Sequence, residues 1–283
     1  MRNWIRLVIN TFALFLVIVP FNAWADLCTG TSAEILNCVN EKLQYVTITT
    51  DAGGKPLLLF RGVNVRLSRV SSGDKTGNLI IGQGNTWTDA TEGLVVGLDH
   101  TISGANPSIC GGRYNNATGN YATVSGGYGN TASGSSSSVS GGRENTAESS
   151  YSSVSGGRGN TTADESYASV SGGHNNTANG IYASVSGGAS NTAGESSASV
   201  TGGYYNIASG PLSTVSGGDG NEASAYYSTV SGGSDNTASN VLSTVSGGNN
   251  NTAGGQSSTV SGGYGRSVTG IYDWRAGAYF QDY

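Results

Sequence analysis

Charge is scarce in this chain, and so are the large apolar residues that usually build a core. Only 11% of the 283 residues are Asp, Glu, Lys or Arg, with five phenylalanines, one methionine, two histidines and three cysteines. The acids outnumber the bases, eighteen to thirteen. That balance leaves no basic footprint for a phosphate backbone, so nucleic acid is excluded as an expected partner. After the first twenty-five residues no stretch is apolar enough for a transmembrane helix. What is abundant is glycine, at forty-six residues, together with serine. That composition by itself describes a disordered chain.

Strict periodicity overrides that expectation. A unit of fifteen residues, V-S-G-G-x-x-N-T-A-S-x-x-x-S-T, recurs thirteen times from Leu79 onward, and a fixed period is the signature of a stacked array. The register runs through Leu79, Leu94, Ile109, Val124, Val139, Val154, Val170, Val185, Val200, Val215, Val230, Val245 and Val260. One step, Val154 to Val170, holds an extra residue, placed near Thr162. A glycine stands three positions after every marker, from Gly82 to Gly263. The fold class expected is all-β: a parallel β-solenoid or β-roll of about thirteen coils over residues 79–270, preceded by a short helix. Such a stack needs only a thin core renewed at each coil.

Arg2 and Arg6, the apolar run Leu7–Val19 and Ala23-Trp24-Ala25 compose a Sec-type signal peptide over residues 1–25, so the chain is expected to be exported, secreted or surface-bound. An uncleaved anchor is the alternative, but the run is short for a span. Removal of Arg2 and Arg6 leaves eleven bases against eighteen acids, a net charge of −7. Residues 26–78 differ from the repeats. Thr31-x-x-Glu34 resembles a capping box that opens a helix through Gln44. Leu36, Val39, Leu43 and Val46 fall at coiled-coil spacing, which fits an oligomerisation seam or a helix packed on the first coil. Leu57–Leu67 reads as one or two strands that lead into the array. Cys28 and Cys38 are a possible disulfide in an exported chain or two free thiols. Cys110 has no evident partner; it is an outward thiol able to link protomers or an inert replacement of serine.

Alternation assigns the faces of each coil. In Tyr121-Ala122-Thr123-Val124-Ser125 the small and apolar Ala122 and Val124 point inward, and Tyr121, Thr123 and Ser125 outward. A second short strand, Asn130-Thr131-Ala132-Ser133, places Ala132 inward, and Gly126-Gly127 turns the chain between the two. Six positions after the marker stands an asparagine in eleven copies, with His100 and Arg266 in the other two. Asn115, Asn130, Asn145, Asn160, Asn176, Asn191, Asn206, Asn221, Asn236 and Asn251 form an expected structural ladder, each amide bonded to the next coil. The alternative is a column of bound calcium. The period and the lack of aspartates oppose it, so no metal or cofactor is expected.

The repeat, carried by Thr123-Val124-Ser125-Gly126-Gly127 and Asn130-Thr131-Ala132-Ser133-Gly134 and their later copies, resembles the head repeats of trimeric autotransporter adhesins, the YadA-like or Hep/Hag type. Asn78-Leu79-Ile80-Ile81-Gly82 and Gly93-Leu94-Val95-Val96-Gly97 are similar to the divergent opening coils of such proteins. The resemblance covers residues 79 to about 275. It implies a left-handed β-roll, a homotrimer, and adhesion to host matrix or cell-surface ligands. This unit is fifteen residues where the family's is close to fourteen. The chain ends at Tyr283 without a stalk or membrane barrel, so a free-standing exported rod is expected.

No catalytic set emerges. His100 and His174 lie about five coils apart, roughly 24 Å at strand spacing, and no acids converge on either, so no enzyme is expected. The outward face is more informative. Tyr121, Tyr151, Tyr167, Tyr182, Leu212, Tyr227, Leu242 and Tyr272 recur at equivalent positions, a stripe that fits an oligomer seam, coil-edge packing or a ligand face. An ice-binding solenoid, with Thr123-x-Ser125 or Thr214-x-Ser216 ordering water, is the alternative from another class; a purely structural surface or matrix component is a third. Residues 271–283, with Ile271, Tyr272, Trp274, Tyr279 and Phe280, read as an aromatic cap over the last coil or as a linker stub.

Overall fold

The computed structural model describes residues 46–50, 56–60, 78–163 and 165–277. The chain divides into two compact units between Arg66 and Leu67. In the first, strand β1 (Val46–Thr50) pairs antiparallel with β2 (Pro56–Phe60), Val46 opposite Phe60 and Thr50 opposite Pro56. Val46, assigned above to a helical seam, opens a strand instead. The expected helix to Gln44, residues 1–25 and the Cys28/Cys38 pair lie outside the described residues.

The second unit is a parallel β-solenoid with a fifteen-residue period. Its marker strands join into a fourteen-stranded sheet from Leu79–Gln83 to Trp274–Arg275, and the alanine strands into a thirteen-stranded sheet from Thr86–Thr91 to Ser267–Val268. No helix occurs among the described residues. Stacking is in register: Val124 pairs with Val139, Val139 with Val154, Ala132 with Ala147. At about 4.8 Å per strand the stack is on the order of 60 Å long.

The core is as thin as the composition demands. Valine and alanine columns face each other with 0–1% exposure from Ile109 to Val260. A third inward column, two residues before each valine, holds either alanine (Ala122, Ala168, Ala183, Ala198) or serine (Ser137, Ser152, Ser213, Ser228, Ser243, Ser258). Each buried valine contributes roughly 1.5–3 kcal/mol, and no phenylalanine is needed. Two serines close their own turn: Ser152 Oγ donates to the Ser149 carbonyl and Ser228 Oγ to that of Ala225, both at 2.7 Å.

Three sequence assignments need correction. In the two opening coils the residues in register with the valine column are Ile80 and Val95, since Val95 pairs with Ile109 and Leu94 with Ser108. Leu79 is accordingly exposed. The cause is the turn: Val96-Gly97 is one residue shorter than Cys110-Gly111-Gly112, so the fifteen-residue count drifts by one within that coil. Second, Tyr121 does not continue the strand Thr123–Val124; it sits in the preceding turn with φ +59°. Third, each coil makes one more backbone contact than two strands allow. A single residue four positions after the marker bridges to its neighbours, from Leu98 through Arg113, Tyr128 and onward to Tyr264. The extra residue lies between Thr162 and Ser169, because Thr146 pairs with Thr161 at an offset of fifteen and Ser153 with Ser169 at sixteen.

Candidate functional site

The asparagine column sits inside the stack, each residue from Asn115 to Asn251 fully buried. Asn130 shows the pattern. Its Oδ1 accepts from the Asn145 backbone N–H at 3.0 Å, and its Nδ2 donates to the Gly126 carbonyl of its own coil and the Gly142 carbonyl of the next. Asn145, Asn176, Asn191, Asn236 and Asn251 repeat this set. Every polar atom of the amide is therefore committed to backbone, which is what burying it requires.

His100 takes the same place in the second coil. Its backbone N–H donates to Asn85 Oδ1 at 2.9 Å, and its Nδ1 accepts from the Asn115 N–H at 3.0 Å. Burial pushes its pKa below the ordinary 6.5, against the raising effect of nearby backbone at Val96, Asn115 and Gly112 and of Asp99. His174 stands elsewhere, exposed at the bridge position. The two imidazoles are not brought together, and no cluster of three His, Cys, Asp or Glu occurs among the described residues.

The chain passes from the marker strand round one edge to the alanine strand, and round the opposite edge to the next marker. Both edges carry the exposed chemistry. At the second edge stand all eight residues of the stripe, and every one is in the left-handed region: Tyr121, Tyr151, Tyr167, Tyr182, Leu212, Tyr227, Leu242 and Tyr272, with φ between 57° and 66°. Here the chain reverses. The N–H of Tyr151 points back to Ser135 of the preceding coil, whereas Ser153 N–H in the strand points forward to Ala168. The backbone at this point suits glycine or asparagine; tyrosine and leucine adopt it at a cost of roughly 1 kcal/mol each. Their side chains remain in solvent, Tyr121 60% and Tyr182 59% exposed. Tyr151, Tyr167 and Tyr182 stack in sequence, ring centroids 5.0 and 5.1 Å apart and planes within 17°.

Sequence reasoning missed how the stripe widens. From Ile181 on, the residue before the left-handed position is often apolar too, giving Ile181-Tyr182, Pro211-Leu212, Tyr226-Tyr227, Val241-Leu242 and Ile271-Tyr272. Tyr226, Val241 and Ile271 are exposed alongside their neighbours. The described part of the expected cap continues the coil: Trp274–Arg275 pairs with Thr259–Val260, and Trp274 Nε1 donates to Ser261 Oγ at 2.8 Å. Ile271, Tyr272 and Trp274 stay more than 60% exposed; Tyr279 and Phe280 lie outside the described residues.

The first edge also carries a pattern that was overlooked. Its bridge residues include Arg113, Tyr128, Arg143, Arg158 and His174 on adjacent coils. Arg113 pairs with Asp99 at 3.0 Å and Glu144 with both Arg143 and Arg158, at 3.0 and 3.6 Å. Arg113 and Arg143 also lie over the Tyr114 and Tyr128 rings. The signal was available: arginine falls at one repeat position and nowhere else between Ile109 and Thr259. Cys110 is exposed and unpaired.

A family profile, the ubiquitous surface protein adhesin repeat, matches residues 213–224. These twelve residues cover most of one coil, with its strands Thr214–Val215 and Glu222–Ala223, and the same unit stacks in register on either side. An adhesin-type repeat is therefore present within a β-solenoid, consistent with a surface protein. No curated protein matches the chain. Among the described residues no helix is long and apolar enough to cross a membrane.

Proposed function

We propose that this chain is an exported, adhesin-like structural protein: a YadA-like, Hep/Hag-type head whose copies assemble as a homotrimer and attach to host matrix or cell surfaces, without catalytic activity. The observation that carries the reading is the apolar edge. Eight tyrosines and leucines hold a backbone conformation that disfavours them, remain exposed, and line one side of the stack. A monomer gains little from such an edge. Asn106, Ser136, Ser197 and Ser257 hold the same position in other coils, yet an exposed apolar strip of this extent is the mark of an association surface, and the stacked rings already offset part of their ordering cost. The adhesin-repeat match at residues 213–224 supports the class.

Light scattering on the mature chain tests the seam. Three times the monomer mass is expected, and Tyr151→Asp with Tyr182→Asp is expected to give monomers whose circular dichroism is unchanged. A wild-type monomer, or a double variant of unchanged mass, would sink it. Attachment is tested separately by solid-phase binding to immobilised matrix proteins. Ice binding retains one supporting observation: Thr131, Thr146, Thr161, Thr177 and Thr192 form an outward rank on the alanine sheet. Ile207 and Glu222 interrupt it, which disfavours a regular water lattice. A thermal-hysteresis gap would promote that reading.

A further inference from the structure

The edge opposite the apolar strip carries arginines in its N-terminal half, where Asp99 and Glu144 partly offset them, and only acids among the charged residues at the matching positions of its C-terminal half. All three arginines between Ile109 and Thr259 occupy its bridge position, and no lysine occurs in that stretch. Arg113, Arg143 and Arg158 lie in the N-terminal half of the ladder. In its C-terminal half the same position holds Asp219, and Asp235 follows the bridge residue Ser234. Between the halves stands Ala189, the smallest residue of the ladder. Counted in coils from Ala189, Arg158 and Asp219 are each two away, Arg143 and Ser234-Asp235 three, and Arg113 and Tyr264 five.

We propose that this edge binds a second copy of the chain, antiparallel, about a two-fold axis at Ala189. Arg158 then meets Asp219 of the second copy, Arg143 meets Asp235, and Arg113 reaches the Tyr264 ring. Each contact occurs twice, as an isologous interface requires. A parallel, in-register pair would instead set arginine on arginine and aspartate on aspartate. An acidic polymer would explain the arginines and leave Asp219 and Asp235 opposing it.

Magnitudes favour a reversible, salt-sensitive contact. Arg113 to Tyr264 is ten coil steps, about 48 Å, and a strip roughly 10 Å wide over that length buries on the order of 1,000 Å² in total. That is the low end for specific association. The internal pairs with Glu144 are exposed and worth little, so exchanging them costs little. Electrostatic contacts of this kind set orientation and encounter rate more than affinity. The apolar edge stays free, so the proposal does not depend on the trimer.

Two variants of the full chain test it by sedimentation at low and high salt. Arg143→Asp with Arg158→Asp leaves Arg113 as the edge's one arginine and makes it predominantly acidic; Asp219→Arg with Asp235→Arg leaves Asp99 and Glu144 as its acids and makes it predominantly basic. The wild type is expected to double in mass at low salt and to revert at high salt. Each variant alone is expected to lose this doubling, and an equimolar mixture of the two to regain it. Association of either variant by itself, or failure of the mixture, overturns the proposal. So does a wild type that never doubles yet retains a sulfated polysaccharide that the acidic variant releases. Orientation is read by oxidation in a Cys110→Ser background. Ala189→Cys is expected to form an intermolecular disulfide and Tyr264→Cys none; a link at both positions overturns the antiparallel arrangement.

Discussion

At the scale of single residues, the stack reuses a few positions and departs from them in informative ways. Tyr182 is left-handed and exposed, and it stacks on Tyr167. Replacing it with glycine relieves roughly 1 kcal/mol of backbone strain and forfeits a ring contact worth about 0.5–1.5 kcal/mol. Tyr182→Gly is therefore expected to leave the unfolding free energy of the isolated chain within about 1 kcal/mol of wild type while weakening self-association. A large loss of intrinsic stability would show instead that the tyrosines merely pack the coil edge. His100 differs from the ladder asparagines in being titratable. Protonation would turn Nδ1 from the acceptor of the Asn115 N–H into a donor facing it, at a residue that is 1% exposed. Its folded pKa is lowered by burial. The neutral ring's contribution is thus fully present above the unfolded value of about 6.5 and drains away as pH falls through the lowered folded value. Thermal melts at pH 7.5 and pH 5 should show a larger drop for wild type than for His100→Asn, whose amide can take the ladder bonds at either pH. Equal drops would mean that His100 does not set the acid sensitivity of the fold.

At the scale of the coil, the paired glycines look alike in sequence and do different work. A Cβ on Gly173 would come within 2.1 Å of the Gly188 carbonyl oxygen and 2.5 Å of Asn176 Nδ2, and its φ is +91°; a Cβ on Gly172 would meet nothing within 4 Å. Gly173→Ala combines left-handed strain with overpacking, together on the order of 3 kcal/mol, whereas Gly172→Ala is expected to shift chemical denaturation by less than about 0.5 kcal/mol. Similar midpoints for the two would mean that the coils do not approach this closely. The same coil shows why some features were legible and others were not. Parallel stacking, the period and the inward valines followed from recurrence, because each position samples one environment thirteen times. Tyr121 was misplaced because alternation carries no mark of where a strand ends, and the turn conformation that ends it accepts tyrosine only at a cost. Leu94 has the marker's spacing without its place in the core; the register slips where Val96-Gly97 is a residue short, which a count of residues does not reveal. The arginine column was visible as recurrence at one position, but sparse charges look like solvated decoration until the bridge ladder lines them up.

At the scale of the molecule, stability is carried by contacts between neighbouring coils, so an error in register matters by where it falls. The stack already contains one natural insertion. Sixteen residues separate Val154 from Val170, yet Thr161 still pairs with Thr177 and Ser169 with Ser184. The surplus is absorbed between the alanine strand and the next marker strand, where the turn faces outward and no ladder amide bridges the coils. An added residue inside a marker strand has no such outlet, because a one-residue slip turns every inward side chain outward. A single glycine inserted after Glu195, in the equivalent turn, is expected to cost about 1 kcal/mol and to lower the melting temperature by roughly 2–4 °C, with one transition retained. The same glycine inserted between Ser199 and Val200 would break the valine column and both adjoining amide ladders at once. Calorimetry on that variant is expected to show two transitions, one for the coils before residue 199 and one for those after it. If both insertions gave a single melt at the same temperature, register would not be held coil by coil, and stability would have to reside in contacts that span the stack.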